Sequence, residues 1–87
     1  MIGHTIPPHA IAALVALGEL GPSVKAQLVS ETGLEGELMH NALRSLRHRG
    51  MAEAMKATEK ERRVFIWHLT PRGCRALDRW EGAQCET

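Results

Sequence analysis

Hydrogen-bonding side chains recur at helical intervals near the middle of the sequence. Glu37 and Arg44 each lie three or four residues from His40 and Asn41, so one face of a helix would carry all four. A side-chain amide matches the edge of adenine, a guanidinium matches guanine, and a carboxylate accepts from the amino group of cytosine. The chemistry that this set offers is the reading of base edges in a DNA groove.

A second set of side chains suits contact with a phosphate backbone. Cationic and hydroxyl side chains bind phosphates and position a protein without reading sequence. The residues predicted for this role are Ser45, Arg47, His48, Lys56, Lys60, Arg62 and Arg63.

The net charge of +1 is distributed unevenly. Residues 1–39 carry a net charge of −3, residues 40–75 carry +6, and residues 76–87 carry −2. This asymmetry predicts a basic face that coincides with the residues above. The alternative is a solvated basic surface that binds no nucleic acid.

Other kinds of chemistry have little support. The five histidines show no HxxxH or HExxH spacing, so we predict no metal site. No serine lies in a nucleophile motif and no glycine-rich phosphate loop is present, so we expect no enzyme, no cofactor and no small-molecule ligand. We expect Cys74 and Cys85 to be reduced thiols, with Cys74 packed. Because the apolar run 11–17 is too short to span a membrane, we expect a cytoplasmic protein.

Hydrophobic spacing predicts three helices before Gly50. The first runs from about Pro8 to Leu17 or Leu20 and is broken by the following glycines and proline. The second runs from about Val24 to Glu31, with Ser23 as its N-cap and Gly33 closing it. The third runs from about Glu35 to Arg49. Its expected buried face consists of Leu38 or Met39, Ala42, Leu43 and Leu46.

A hairpin and a last helix are predicted after Gly50. The first strand is expected over 51–56, a charged loop over 57–62 and a second strand over 63–69. Thr70-Pro71 has the form of an N-cap followed by a first helical residue, which predicts a helix to about Glu81. Alternation along the second strand directs one set of side chains inward, and we expect this set to be Phe65, Trp67 and Leu69. Val64 and Ile66 would then lie on an outer face, covered either by a protein partner or second copy, or by the chain ends.

This order of elements resembles the winged helix-turn-helix regulators, among them the MarR-like and IclR-like DNA-binding domains. The resemblance rests on three motifs, residues 28–34, 42–51 and 69–73, and covers about residues 10–80. In the family pattern sixteen residues separate the turn glycine from the glycine before the wing, as they do for Gly33 and Gly50. The family often has Ser, Thr, Arg or Gln where this chain has Glu35, Gly36 and Glu37.

We therefore expect one α+β winged-helix domain over residues 1–87, mostly helical, with a two-stranded β-hairpin wing and a C-terminal helix. Its ordered core would cover about residues 8–81, with flexible ends at 1–6 and 82–87. The resemblance implies a small transcriptional regulator that binds double-stranded DNA sequence-specifically through the third helix. The alternative function is a winged-helix adaptor that binds another protein through that helix or the wing face.

Overall fold

The computed structural model describes residues 6–85, which form four helices and three strands. In chain order these are α1 (Pro8–Leu20), β1 (Ser23–Val24), α2 (Lys25–Thr32), α3 (Gly36–His48), β2 (Ala52–Glu59), β3 (Arg62–Leu69) and α4 (Pro71–Cys85). The strands make one antiparallel sheet in the order β1-β3-β2. The fold is the predicted α+β winged helix, in which β2 and β3 form the wing.

The core lies between α1, α2 and α3. Small side chains on α1 allow α3 to approach closely, and leucines from all three helices fill the space between them. Its fully buried members include Leu14, Leu17, Leu28, Met39, Leu43 and Leu46. The buried face predicted for the third helix is confirmed, with Met39 rather than Leu38 as its first fully buried residue.

Helix α1 continues through Gly18, where the sequence suggested a break. It begins at Pro8 as predicted, and it ends when Gly21 takes a left-handed φ of 76°. A Cβ atom at Gly18 would overlap the side chain of Leu77 on α4. Gly18 therefore serves the close approach of α4 to α1, and the helix does not end there.

The structure corrects the role assigned to Ser23. This residue lies in β1, opposite Trp67 of β3, and its Oγ donates to the carbonyl of Gly21 at 2.8 Å. Val24 is the residue that precedes α2, and its backbone amide donates to Oε1 of Gln27 at 3.2 Å. The two-residue strand β1 adds a third strand to the sheet beside the predicted hairpin.

The turn between α2 and α3 closes as predicted. Gly33 has a φ of 78°, and its amide donates to the carbonyl of Val29 at 2.9 Å. Thr32 Oγ1 donates to the carbonyl of Leu28 and accepts from the amide of Leu34. These bonds fix the path of the chain into α3.

The wing is longer than predicted. Pairing continues through Ala57↔Val64 and Thr58↔Arg63 to Glu59↔Arg62, so the residues assigned to a charged loop are mostly strand. A two-residue turn of Lys60 and Glu61 joins the strands, with φ angles of 51° and 65°. Positive φ at both positions matches the twist of a hairpin.

Thr70 connects the start of α4 to the segment before the wing by hydrogen bonds. Its Oγ1 accepts from the amide of Gly73 at 3.1 Å, which confirms the predicted N-cap, and it donates to the carbonyl of Gly50 at 2.6 Å. Gly73 is buried, and a Cβ atom there would overlap the carbonyl oxygen of Met51. The start of α4 is therefore packed directly against the chain segment that leads into the wing.

The described region begins at Ile6 and ends at Cys85. Ile6 packs against the core, and α4 continues to Cys85, four residues beyond the expected end at Glu81. Residues 1–5 and 86–87, which were included in the predicted flexible ends, lie outside the described residues. Cys74 was expected to be packed, but it is exposed on the first turn of α4.

Candidate nucleic-acid interface

The outer face of α3 carries the polar side chains that its spacing indicated. Glu37, His40, Asn41 and Arg44 are all exposed. The opposite face is buried against α1 and α2, so the orientation of α3 is fixed by apolar packing. The exposed face is consequently available to a partner along its whole length.

One concave surface joins this face to the wing. A cavity of about 650 Å³ is lined by His40, Arg44, Arg47, His48 and Trp67. A second cavity, of about 740 Å³, shares His40, Arg47 and Trp67 with the first and extends to side chains of the wing and the start of α2. We call the two together the α3–wing groove.

The groove brings together six of the residues predicted to contact DNA, from two separate elements. They are His40, Arg44, Arg47 and His48 on α3, with Lys56 and Arg63 on the wing. The described residues that line it include no carboxylate, so its fixed charges are all positive. Such a concave surface with charges of one sign attracts a polyanion.

The remaining predicted residues lie outside the groove. Glu37 and Asn41 are exposed on α3 without lining either cavity. Ser45 is half-buried, and its Oγ accepts a bond of 3.4 Å from Nε of Arg49. Lys60 lies in the turn, and Arg62 is exposed and adjacent to Arg63, on the opposite face of the strand by alternation.

Lysine and aromatic side chains that were not predicted as site residues also line the groove. Lys25 begins α2, and its single charge in an otherwise acidic segment gave no signal. Phe65 and Trp67 line the groove from β3. Trp67 and Leu69 pack against the core as predicted, but the inward assignment of Phe65 was wrong, because its side chain is 51% exposed. The wing projects beyond the helices, so the face that is covered at Leu69 is open at Phe65.

Val64 and Ile66 are half-buried on β3, and neither belongs to the core cluster. Val64 also lines the second cavity of the α3–wing groove, whereas Ile66 lines neither cavity. Met55 lies directly opposite Ile66 and is 52% exposed. The outer face of the wing thus carries apolar side chains that the described chain covers only in part.

The described residues contain neither a cluster of metal ligands nor a helix that could span a membrane. Within 6–85, no three His, Cys, Asp or Glu side chains come together as a metal site would require. None of the helices in that range is both long and apolar enough to cross a membrane.

Comparisons with known proteins agree on the fold. No protein-family model matches the sequence, and no curated protein matches it. Among solved structures, a probable transcriptional regulator from Pseudomonas aeruginosa is 28% identical, with a TM-score of 0.74 over 94% of this chain. A variant of ZitR from Lactococcus lactis is 21% identical, with a TM-score of 0.84 over 98%. A MarR family transcriptional regulator from Silicibacter pomeroyi is 18% identical, with a TM-score of 0.81 over 93%.

The chain is shorter than these structures. It spans 61% of the Pseudomonas protein, 57% of the Lactococcus protein and 54% of the Silicibacter protein. Each of them nevertheless matches more than nine tenths of this chain. The resemblance noted in the sequence is confirmed at this level: the chain has the winged helix-turn-helix fold of MarR-family transcriptional regulators.

Proposed function

We propose that this chain binds double-stranded DNA sequence-specifically, as the DNA-binding part of a small transcriptional regulator. The observation that carries the proposal is the α3–wing groove, in which a helix and a hairpin far apart in sequence present cations to one concave surface. The fold supports the same conclusion, because its known examples above are transcriptional regulators. Because those examples are regulators and not enzymes, the fold gives no support for catalysis by this chain.

In the proposed complex α3 lies in the major groove. His40 and Arg44 face the base edges, with Asn41 and Glu37 beside them on the exposed face. Arg44 is suited to guanine, Asn41 to adenine and Glu37 to cytosine. Arg47 and His48 lie in the last turn of the helix, where they meet the phosphates at the edge of the groove.

The wing holds the DNA backbone. Lys56 and Arg63 point into the α3–wing groove, and Lys60 and Arg62 lie at the tip, where they reach phosphates or a minor groove. Ser45 was also predicted to contact the backbone. Its bond with Arg49 supports a role in positioning that side chain at the end of α3.

A salt titration on random-sequence duplex DNA tests the proposal. Fluorescence anisotropy of a labelled duplex should show binding at about 50 mM salt that weakens steeply as salt rises, because phosphate contacts release counterions. Arg47→Ala should weaken it, whereas Arg79→Ala removes an equal charge from the exposed surface of α4 and should not. Selection from a random library would then give the preferred site. Absence of binding at that salt concentration would refute the proposal.

The second candidate function is protein binding by a winged-helix adaptor or by a second copy of the chain. Its supporting observation is the outer face of the wing, where Met55 is 52% exposed beside the half-buried Val64 and Ile66. The acidic residues Glu35 and Glu37 at the start of α3 would suit a basic partner. Sedimentation of the purified chain at several concentrations tests self-association on its own.

A further inference from the structure

Phe65 is an exposed aromatic residue in a groove that is lined by both cations and apolar residues. A single exposed apolar side chain is common in proteins and needs no special explanation. Phe65 differs because it is 51% exposed and lines the α3–wing groove beside Arg47, Lys56 and Arg63. The ring can lose its remaining contact with water only if a partner enters the groove.

The neighbours of Phe65 define the chemistry of that partner. Lys56 lies directly opposite Phe65 in the β2–β3 register, and Arg63 lies two residues away on the same face of β3. Arg47 approaches the same cavity from α3. The partner must therefore offer negative charges with an apolar surface between them.

A DNA strand has this alternation. Each deoxyribose presents apolar C–H groups and is flanked by two phosphates. Phe65 lies three residues from the first residue of β3, or about 10 Å at about 3.4 Å per residue. It stands between the tip of the wing and α3, on the path of a strand that contacts both.

We propose that the Phe65 ring packs against a deoxyribose of the DNA backbone while Lys56 and Arg63 hold the adjacent phosphates. The inference rests on the proposed DNA-binding function and assigns to it an uncharged contact that the basic residues do not provide. A contact with sugar is independent of sequence, and it adds affinity without releasing counterions.

Binding measurements on Phe65→Ala separate this contact from the electrostatic ones. We expect affinity to fall about tenfold on specific and random duplexes alike, a change equivalent to about 1.4 kcal/mol. The slope of log affinity against log salt should stay unchanged, whereas Lys56→Ala should reduce it by about one unit. Phe65→Leu should retain most of the affinity because it keeps an apolar side chain.

Leu20→Ala is the matched control. Leu20 is also an exposed apolar residue, at 42%, but it ends α1 and lines neither cavity of the α3–wing groove, so its loss should leave DNA affinity unchanged. An unchanged affinity for Phe65→Ala, a loss confined to one sequence, or an altered salt slope would each overturn the proposal.

A second measurement does not depend on a substitution. Phe65 is the only phenylalanine in the chain, so fluorophenylalanine labelling gives a single ¹⁹F resonance from this ring. The difference between the chemical shifts of this resonance in H₂O and in D₂O reports contact of the ring with water, and this difference should fall by at least half when duplex DNA is added. If the difference stays constant while anisotropy shows binding, the Phe65 contact is refuted and DNA binding is not. Absence of binding by the unmodified chain would instead refute the proposed function.

Discussion

Arg44 has the position expected of a residue that distinguishes one base pair from another. It is exposed on α3, one turn after His40, and both line the same cavity. We predict that Arg44→Ala weakens specific binding by about 1–3 kcal/mol and relaxes the preference at one base pair. Competition among duplexes that differ by single base pairs measures both effects, with Arg79→Ala as the control. A uniform loss on all sequences would assign Arg44 to a phosphate.

Glu37 provides a second test of whether α3 contacts DNA, because its charge is opposite to that of Arg44. Its carboxylate is exposed in the first turn of α3. When α3 lies in the major groove of DNA, the phosphates on either side of that groove come near this carboxylate. We predict that Glu37→Gln raises affinity for random DNA at low salt, because repulsion is removed while the shape is kept. The increase should disappear at high salt. If the wild type and the variant both fail to bind DNA at about 50 mM salt, the adaptor function becomes the better explanation.

Among the elements, the start of α4 depends most on one side chain. Thr70 is buried, caps α4 through the amide of Gly73, and also bonds to the carbonyl of Gly50 before the wing. We predict that Thr70→Ala lowers the free energy of unfolding by about 1–2 kcal/mol, or about 4–16 °C in Tm for a chain of this length. Thr70→Ser keeps the hydroxyl and should be much less destabilised in thermal unfolding followed by circular dichroism. Equal losses for the two variants would show that the hydroxyl contributes little.

The helices and the order of the elements followed from local signals in the sequence. Apolar spacing marked the buried face of α3, Gly33 marked the turn, and Thr70-Pro71 marked the start of α4. These features depend on residues close together in the chain, which is why pattern and capping chemistry were sufficient to predict them.

Features that depend on distant pairing were missed. Strand β1 is two residues long and exists only because Ser23 and Val24 pair with β3, more than forty residues away. The wing turn has no glycine or asparagine, since Lys60 and Glu61 adopt the positive φ angles, so the usual hairpin signal was absent. The exposure of Phe65 depends on how far the wing projects beyond the helices, which strand alternation alone does not specify.

At the scale of the whole molecule, the net charge of +1 is the sum of a basic middle segment, residues 40–75, and two acidic segments, residues 1–39 and 76–87. The basic segment supplies most of the cations that line the α3–wing groove. The arrangement brings cations from α2, α3 and the wing to one side, with Lys25 contributing from a segment that is acidic overall. Binding should therefore depend on this surface and not on net charge. A neutral protein with scattered charges would have no comparable attraction for a polyanion.

The salt dependence of DNA binding measures how many cations of the basic surface contact phosphates. Five Lys and Arg residues are assigned to phosphates: Arg47, Lys56, Lys60, Arg62 and Arg63. If all five make contact, log affinity should fall against log salt with a slope of about −4 to −5. Arg62→Ala and Arg63→Ala should each reduce its magnitude by about one unit and keep the sequence preference. Because the two side chains lie on opposite faces of β3, an effect of Arg63 without one of Arg62 would restrict the contact to the α3–wing groove. A wild-type slope near zero would mean that the basic groove does not hold DNA at all.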